Sequence, residues 1–213
     1  PDGRLLATGG AGRTTVALWD VETGERRAVR FPAWDGALSD IAFCADGRRL
    51  VIAGDEGIGV RVLDAIEGTE IARLSTLAHE AVALGAGDQL LAAGGLHGVR
   101  VWRMSDYTAV HAPLPHAVHA LAFEPSGDRL LTGGVDGTVR VYGDGAEVMR
   151  LGSIGTAIRA LEFSADGTMM ATGDDLGQIR IWPAVAVADV ADRLTQLQAE
   201  TAATHAPTAA VGR

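Results

Sequence analysis

Thr138-Val139-Arg140-Val141-Tyr142 decides the fold, because the chain writes this stretch five times. Thr15-Val16-Ala17-Leu18-Trp19, Gly59-Val60-Arg61-Val62-Leu63, Gly98-Val99-Arg100-Val101-Trp102 and Gln178-Ile179-Arg180-Ile181-Trp182 align with it without a gap. The closing residues Trp19, Leu63, Trp102, Tyr142 and Trp182 therefore follow one another at steps of 44, 39, 40 and 40. A second mark, Ile41-Ala42-Phe43, Val82-Ala83-Leu84, Leu121-Ala122-Phe123 and Leu161-Glu162-Phe163, steps independently by 41, 39 and 40. Two unrelated marks on one period define a repeat architecture, and the repeat is read before any single motif.

Working outward from Thr138 gives the contents of one unit. Val118 to Phe123 is β-rich and apolar on both faces, as a strand between two neighbouring sheets must be. Glu124-Pro125-Ser126-Gly127-Asp128 is a turn, Arg129 to Gly133 a second strand, and Gly134-Val135-Asp136-Gly137 a tight turn. Thr138 to Tyr142 is the third strand and Ala146 to Leu151 the fourth. Four short strands joined by hairpins make one antiparallel blade. Such a blade is stable only when its two apolar faces are covered by neighbours.

These repeats resemble the WD40 family over residues 2 to about 183. The resemblance rests on Leu6-Ala7-Thr8-Gly9-Gly10 through Leu18-Trp19-Asp20-Val21-Glu22-Thr23-Gly24, and on the Phe163-Ser164-Ala165-Asp166-Gly167 turn. It implies an all-β, WD40-type β-propeller with about five blades present, three complete and two partial, as part of a larger ring. The repeats are degenerate. Only Trp19-Asp20 keeps the Trp-Asp pair, which elsewhere reads Leu63-Asp64, Trp102-Arg103, Tyr142-Gly143 and Trp182-Pro183. The family's Gly-His pair is missing, and its His position falls on Trp34, Ser75, Leu114 and Ile154. The family's turn Asp survives as Asp136 alone. The buried His–Ser/Thr–Asp–Trp network of the family is therefore not expected in full, and packing of β-branched and aromatic residues must hold the blades.

The register gives strand counts of 3, 4, 4, 4 and 3 for the five repeats, with Gly3-Arg4-Leu5-Leu6 already a second strand. The N-terminal blade is expected to be incomplete, and a seven-bladed ring would need roughly two more blades upstream. Residues 1–183 form the propeller part. Residues 184–203 read as a short amphipathic helix, with Val187, Val190, Ala191, Leu194 and Leu197 on one face, and 204–213 as a flexible tail. Packing on the last blade is the leading role for that helix, with a disordered segment or a partner-binding helix as alternatives.

Composition narrows function. The net charge is −9 and all 18 basic residues are Arg. An acidic surface argues against nucleic acid and membrane as general partners, and Arg in place of Lys with abundant Ala and Gly suggests a GC-rich bacterial source. One cysteine, Cys44, excludes a disulfide framework and paired-cysteine zinc sites. No apolar run spans a bilayer, so a cytoplasmic location is expected. No phosphate-binding loop, dinucleotide fingerprint, nucleophile elbow or paired-His metal motif is present, and no cofactor or metal is implied. His111, His116 and His119 lie near one another at a spacing that fits no zinc pattern.

Four residues hold one position that no motif connects. Ser39, Glu80, His119 and Arg159 each stand four before the closing Phe or Leu of an innermost strand. The register puts them at the mouth of the central channel, near Trp34, Asp35, Asp40, Asp55, Glu56, Asp136, Asp174 and Asp175. Trp34, as an exposed anchor, with Asp35, Ser39, Glu80, His119 and Arg159 forms the expected partner-binding face; filling the void of the missing Gly-His pair is the competing role for Trp34. The recurring Arg61, Arg100, Arg140 and Arg180 are expected to lay their stems on apolar surface and send their heads to water.

The expected function is a non-enzymatic protein–protein interaction scaffold. The resemblance adds a regulatory or sensor domain of a larger bacterial signalling protein, a kinase or an NTPase. The alternative is a propeller enzyme or small-ligand binder that uses Glu80 and His119 at the top of the channel. Contact with an upstream domain and oligomerisation through open blade edges are the two arrangements the repeats leave open for partners.

Overall fold

The computed structural model describes residues 1–183 except 12, 15, 126, 128 and 152–154. The expected helix at 184–203 and tail at 204–213 lie outside the described residues, as does Thr15. Within them the chain forms β-strands with a single 3-10 turn, Ala86–Asp88. No helix there is long and apolar enough to cross a membrane.

The first blade contains β1 (Leu5–Thr8), β2 (Arg13–Thr14) and β3 (Ala17–Asp20), and β4 (Trp34–Asp35) follows on the way to the second. β1 pairs with β3, while the two-residue β2 pairs with β4 as a separate ribbon. Blade 2 is the antiparallel sheet β5 (Leu38–Phe43), β6 (Arg49–Gly54), β7 (Val60–Asp64) and β8 (Glu70–Ser75). Blade 3 comprises β9 (Ala81–Leu84), β10 (Leu90–Gly95) and β11 (Gly98–Arg103). Blade 4 is β12 (Val118–Phe123), β13 (Arg129–Gly134), β14 (Val139–Gly143) and β15 (Ala146–Leu151); blade 5 is β16 (Ile158–Phe163), β17 (Met169–Asp174) and β18 (Ile179–Pro183).

Two blades depart from the expected strand counts. The outer strand of blade 3 is reduced to isolated bridges, Val99 to Leu114 and Trp102 to Ala109. Pro113 and Pro115 lie in that segment, and proline has no amide to give a ladder. In blade 1 the outer strand shrinks to one bridge between Trp19 and Arg26.

Alternation along the third strand explains how the blades stack. Val60 and Val62 of β7 pack against Leu91 and Trp102 of blade 3, whereas Leu63 of the same strand packs against Leu18 of blade 1. The rule repeats: Val99 and Val101 meet Tyr142 and Leu130, and Val139 and Val141 meet Met170 and Trp182. The closing aromatic or leucine thus faces the preceding blade, and the two β-branched residues before it face the following one. Four core clusters result, one between each pair of successive blades, and among the described residues none joins blade 1 to blade 5. Cys44 sits inside the cluster between blades 2 and 3, where burial pushes its thiol up to about 12 and leaves it inert.

Polar groups finish the blades. Asp20, from the surviving Trp-Asp pair, accepts from the amides of Glu22 and Thr23 at 3.1 and 3.0 Å. Asp64 does the same for Ile66 and Glu67 at 2.8 and 3.0 Å, so the acid of this pair serves the turn that follows it. The indoles of Trp19 and Trp182 donate to Thr8 and Thr172 at 2.8 and 3.0 Å, which preserves one arm of the family network in the first and last blades. At the corresponding place in blade 4, the Thr132 and Tyr142 hydroxyls are buried without a hydrogen-bond partner.

The arginine stripe differs from expectation. Arg61 and Arg140 are buried to their heads. The Arg61 guanidinium donates to the carbonyls of Ile58 and Gly57 at 2.8 and 3.2 Å and to Glu70 at 2.5 Å. Arg140 grips Asp136 through two nitrogens, at 3.1 and 2.5 Å, with Glu147 at 3.6 Å. That pairing holds the Asp136 carboxyl down at about 2. The turn between the second and third strands and the outer strand supply these acceptors, so the heads need not travel to water.

Candidate functional site

A backbone irregularity builds the site. The ladder between the first two strands of a blade slips between Leu38 and Asp40, between Val118 and Ala120, and between Ile158 and Ala160. The residue left out each time is Ser39, His119 or Arg159, which is the position singled out in the sequence. A bulge leaves its residue unpaired and re-aims its side chain. In blade 3 the equivalent Glu80 stands just before β9, its amide donating to the Gly94 carbonyl at 2.7 Å.

Three of the four positions come together. His119 Nδ1 contacts Glu80 Oε2 across the junction of blades 3 and 4. Arg159 donates from Nε and Nη2 to the two carboxylate oxygens of Asp175, at 2.5 and 3.3 Å. The Arg159 guanidinium holds the Asp175 carboxyl below its ordinary value, and His119 adds to that effect. Glu80 in turn helps raise Arg159, after Asp175. One polar strip therefore runs over three blades. It borders a groove of about 290 Å³ whose lining includes Asp40, Val82, Leu121, Leu161 and Glu162. Asp40 is tied into the frame, because its carboxylate accepts from the Val82 amide of the next blade at 2.8 Å.

The remaining expected residues fall elsewhere. Ser39 is exposed at its bulge but does not line the groove. Asp35 is exposed on β4, where its backbone pairs with Arg13. Trp34 corrects the expectation of an exposed anchor: it is only 8% exposed and belongs to the core between blades 1 and 2 with Leu18, Leu50 and Ile52. The Arg61 guanidinium lies over its ring, 5.3 Å from the centroid. Its burial gives Trp34 a packing role in the core. Among the acids, Asp55 accepts from Ala37 and Gly57 at 2.8 and 3.1 Å, and Asp174 from Leu176 and Gln178 at 3.0 and 2.9 Å. Both are turn-fixing groups.

One buried polar residue escaped the sequence reading. His79 is sealed in the junction of blades 2 and 3, its Nε2 2.9 Å from the Ser75 hydroxyl and its ring edge-on to Trp102. Burial, with Arg100 and His97 adding, pushes its imidazole down to about 4. The signal was a histidine five residues before Leu84 rather than nine, with Ser75 standing at the expected histidine position.

Comparison with known proteins agrees with this geometry. The model of the WD domain, G-beta repeat (WD40) matches residues 109–143 and 148–183. No curated protein matches the chain. The two matched segments hold the three inner strands of blades 4 and 5, each with outer-strand residues that lead into them. Blades 4 and 5 match WD40 repeats, and blades 2 and 3 share with them the antiparallel sheet order of successive hairpin-joined strands.

Proposed function

We propose that this chain is a non-enzymatic scaffold that binds another protein at the end of its blades where Glu80, His119, Arg159 and Asp175 meet. The observation that carries the reading is the linkage of these side chains from three blades into one accessible polar strip beside a partly apolar groove. Acids outnumber bases there, with Asp40, Glu80, Glu162 and Asp175 against Arg159 and His119. A partner with Lys or Arg beside an apolar residue matches that surface. As the resemblance implies, the scaffold serves as the regulatory or sensor part of a bacterial signalling protein, a kinase or an NTPase.

The Glu80–His119 contact also favours a second reading, catalysis or small-ligand binding at the channel mouth, since a carboxylate can orient an imidazole base. The residues lining the groove include no Ser, Thr or Cys to act as a nucleophile, so the scaffold is preferred.

The test is quantitative capture of partners by the wild-type chain, by Glu80→Lys with Arg159→Glu, and by Arg103→Glu at the opposite end of the sheets. Proteins lost with the first variant and kept with the second are the expected result. Equal capture by all three would remove the reading. Loss of an enzymatic activity of the intact parent protein in Glu80→Gln or His119→Ala, with capture unchanged, would move it to the second.

A further inference from the structure

The outer edge of blade 1 differs from that of blades 2, 3 and 4 at one register position. In those blades the first valine of the third strand has an outer partner. Val60 pairs with Ser75, Val139 pairs with Leu151, and Val99 exchanges two backbone hydrogen bonds with Leu114 at 2.9 and 2.8 Å. Val16 holds this position in blade 1, and among the described residues no outer-strand residue pairs with it. The outer segment departs before reaching it. It bridges Trp19 at Arg26, and the Arg27 amide donates to the Leu18 carbonyl at 2.8 Å. It then turns toward blade 2, where Val29 and Phe31 pack into the core between the two blades. Gly68, at φ 73° in the hairpin between β7 and β8, leaves room for the Arg30 carbonyl, into which a Cβ would run.

This departure opens a groove of about 430 Å³ bordered by Val16, Arg26, Arg27, Val29, Arg30 and Phe31. Its charge runs against that of the chain, since three of the 18 basic residues fall within five positions of a molecule with net charge −9. All three arginines are exposed. Arg27 leans on Asp20 at 3.7 Å, a carboxylate already engaged by the amides of Glu22 and Thr23. Arg26 and Arg30 have no ion-pair partner among the described residues. Two guanidinium forks thus stand free beside a partly apolar lining.

We infer that this groove takes an extended acidic segment of another protein, whose carboxylates pair with Arg26 and Arg30 and whose apolar side chain rests against Val16 and Val29. A guanidinium meets a carboxylate through two parallel N–H donors, which supplies orientation as well as charge. The apolar part of the lining calls for a side chain rather than a bare anion. Nucleic acid is disfavoured, because three arginines neutralise few phosphates and the remaining acidic surface repels a polyanion. The segment takes the place of an outer strand, a width of about 4.8 Å, so an extended chain fits better than a helix about 10 Å across. The groove belongs to blade 1 and the polar strip to blades 3 to 5, so this inference stands or falls apart from the proposed function.

The experiment is fluorescence anisotropy on the 213-residue chain with a labelled decapeptide that alternates Glu and Val. The wild type is expected to bind it and to ignore a decapeptide that alternates Lys and Val. Arg26→Glu with Arg30→Glu should weaken binding by about tenfold or more, the loss of at least one charge-assisted pair. Arg26→Gln with Arg30→Gln, which removes the charges without reversing them, should also bind more weakly than the wild type. Arg73→Glu with Arg103→Glu makes the same change in net charge at exposed positions elsewhere and should bind like the wild type. A cooperative melt of each variant shows that it is folded. Absence of binding to the wild type overturns the proposal. So does equal weakening by the two Glu variants, which is what net charge alone produces, or unchanged binding in the Arg26 and Arg30 variants. Displacement of the peptide by an equal concentration of inorganic phosphate, or equal affinity for a peptide alternating Glu and Ser, reduces the groove to a bare anion site and overturns it too.

Discussion

His79 and Ser75 meet at 2.9 Å in the interior between blades 2 and 3, four residues apart on the same connection. Burial makes the imidazole a poor base there, at about 4 against an ordinary 6.5. The unfolded chain therefore takes up this proton more readily than the folded one. The stability associated with neutral His79 is intact above about pH 6.5 and is lost as pH falls toward 4, a change on the order of 3 kcal/mol. His79→Gln keeps a hydrogen-bonding group without the titration. Denaturant melts at pH 7, 5.5 and 4.5 should show a shallower loss in the variant than in the wild type. Parallel loss would contradict the assignment.

The two threonines at one repeat position should respond in opposite senses. Thr172 accepts from the Trp182 indole, so Thr172→Val should cost about 1 kcal/mol. Thr132 is fully buried and its hydroxyl has no partner, so Thr132→Val should be neutral or stabilising by up to about 1 kcal/mol. Urea midpoints of the two variants provide the comparison.

Trp34→Ala should act on stability rather than on partner binding. Removing a buried indole typically costs about 3–5 kcal/mol, and here it also strips the ring beneath Arg61. Capture of partners per folded molecule should be unchanged. A folded Trp34→Ala variant that specifically loses a partner would restore the residue to the binding face.

Gly59 turns the chain between β6 and β7 at φ 63°, and a Cβ there would run into the Ser75 carbonyl. Gly177 lies in the turn between β17 and β18 of blade 5 at φ 73° with open space around it. Both pay backbone strain on substitution by Ala, of about 1–2 kcal/mol, but only Gly59→Ala adds a collision. The Gly59 variant should melt at clearly lower temperature than Gly177→Ala.

The blades were legible because each repeats the same alternation, and a period is robust to the loss of any one residue. The shared place of Glu80, His119 and Arg159 was legible for the same reason. What the register could not carry was the bulge beside them, which frees the side chains, or the reach of Asp175 that holds Arg159. Trp34 was open to two readings because a loop position says nothing about depth. His79 escaped a search at a fixed offset, although its burial and its contact with Ser75 are local. The heads of Arg61 and Arg140 were misplaced because their acceptors lie on the turn and outer strand, which strand alternation alone does not describe.

Among the described residues the four core clusters join successive blades, so cooperativity between these blades is nearest-neighbour. Among the described residues, blades 2, 3 and 4 are each clamped on both sides, while blades 1 and 5 share a core cluster on one side. Amide protection should consequently grade along the array, with the terminal units fraying at lower free energy than the middle. A uniform exchange profile from β1 to β18 would mean that the array opens as a single unit. A graded one would make each blade a separate step in its own unzipping.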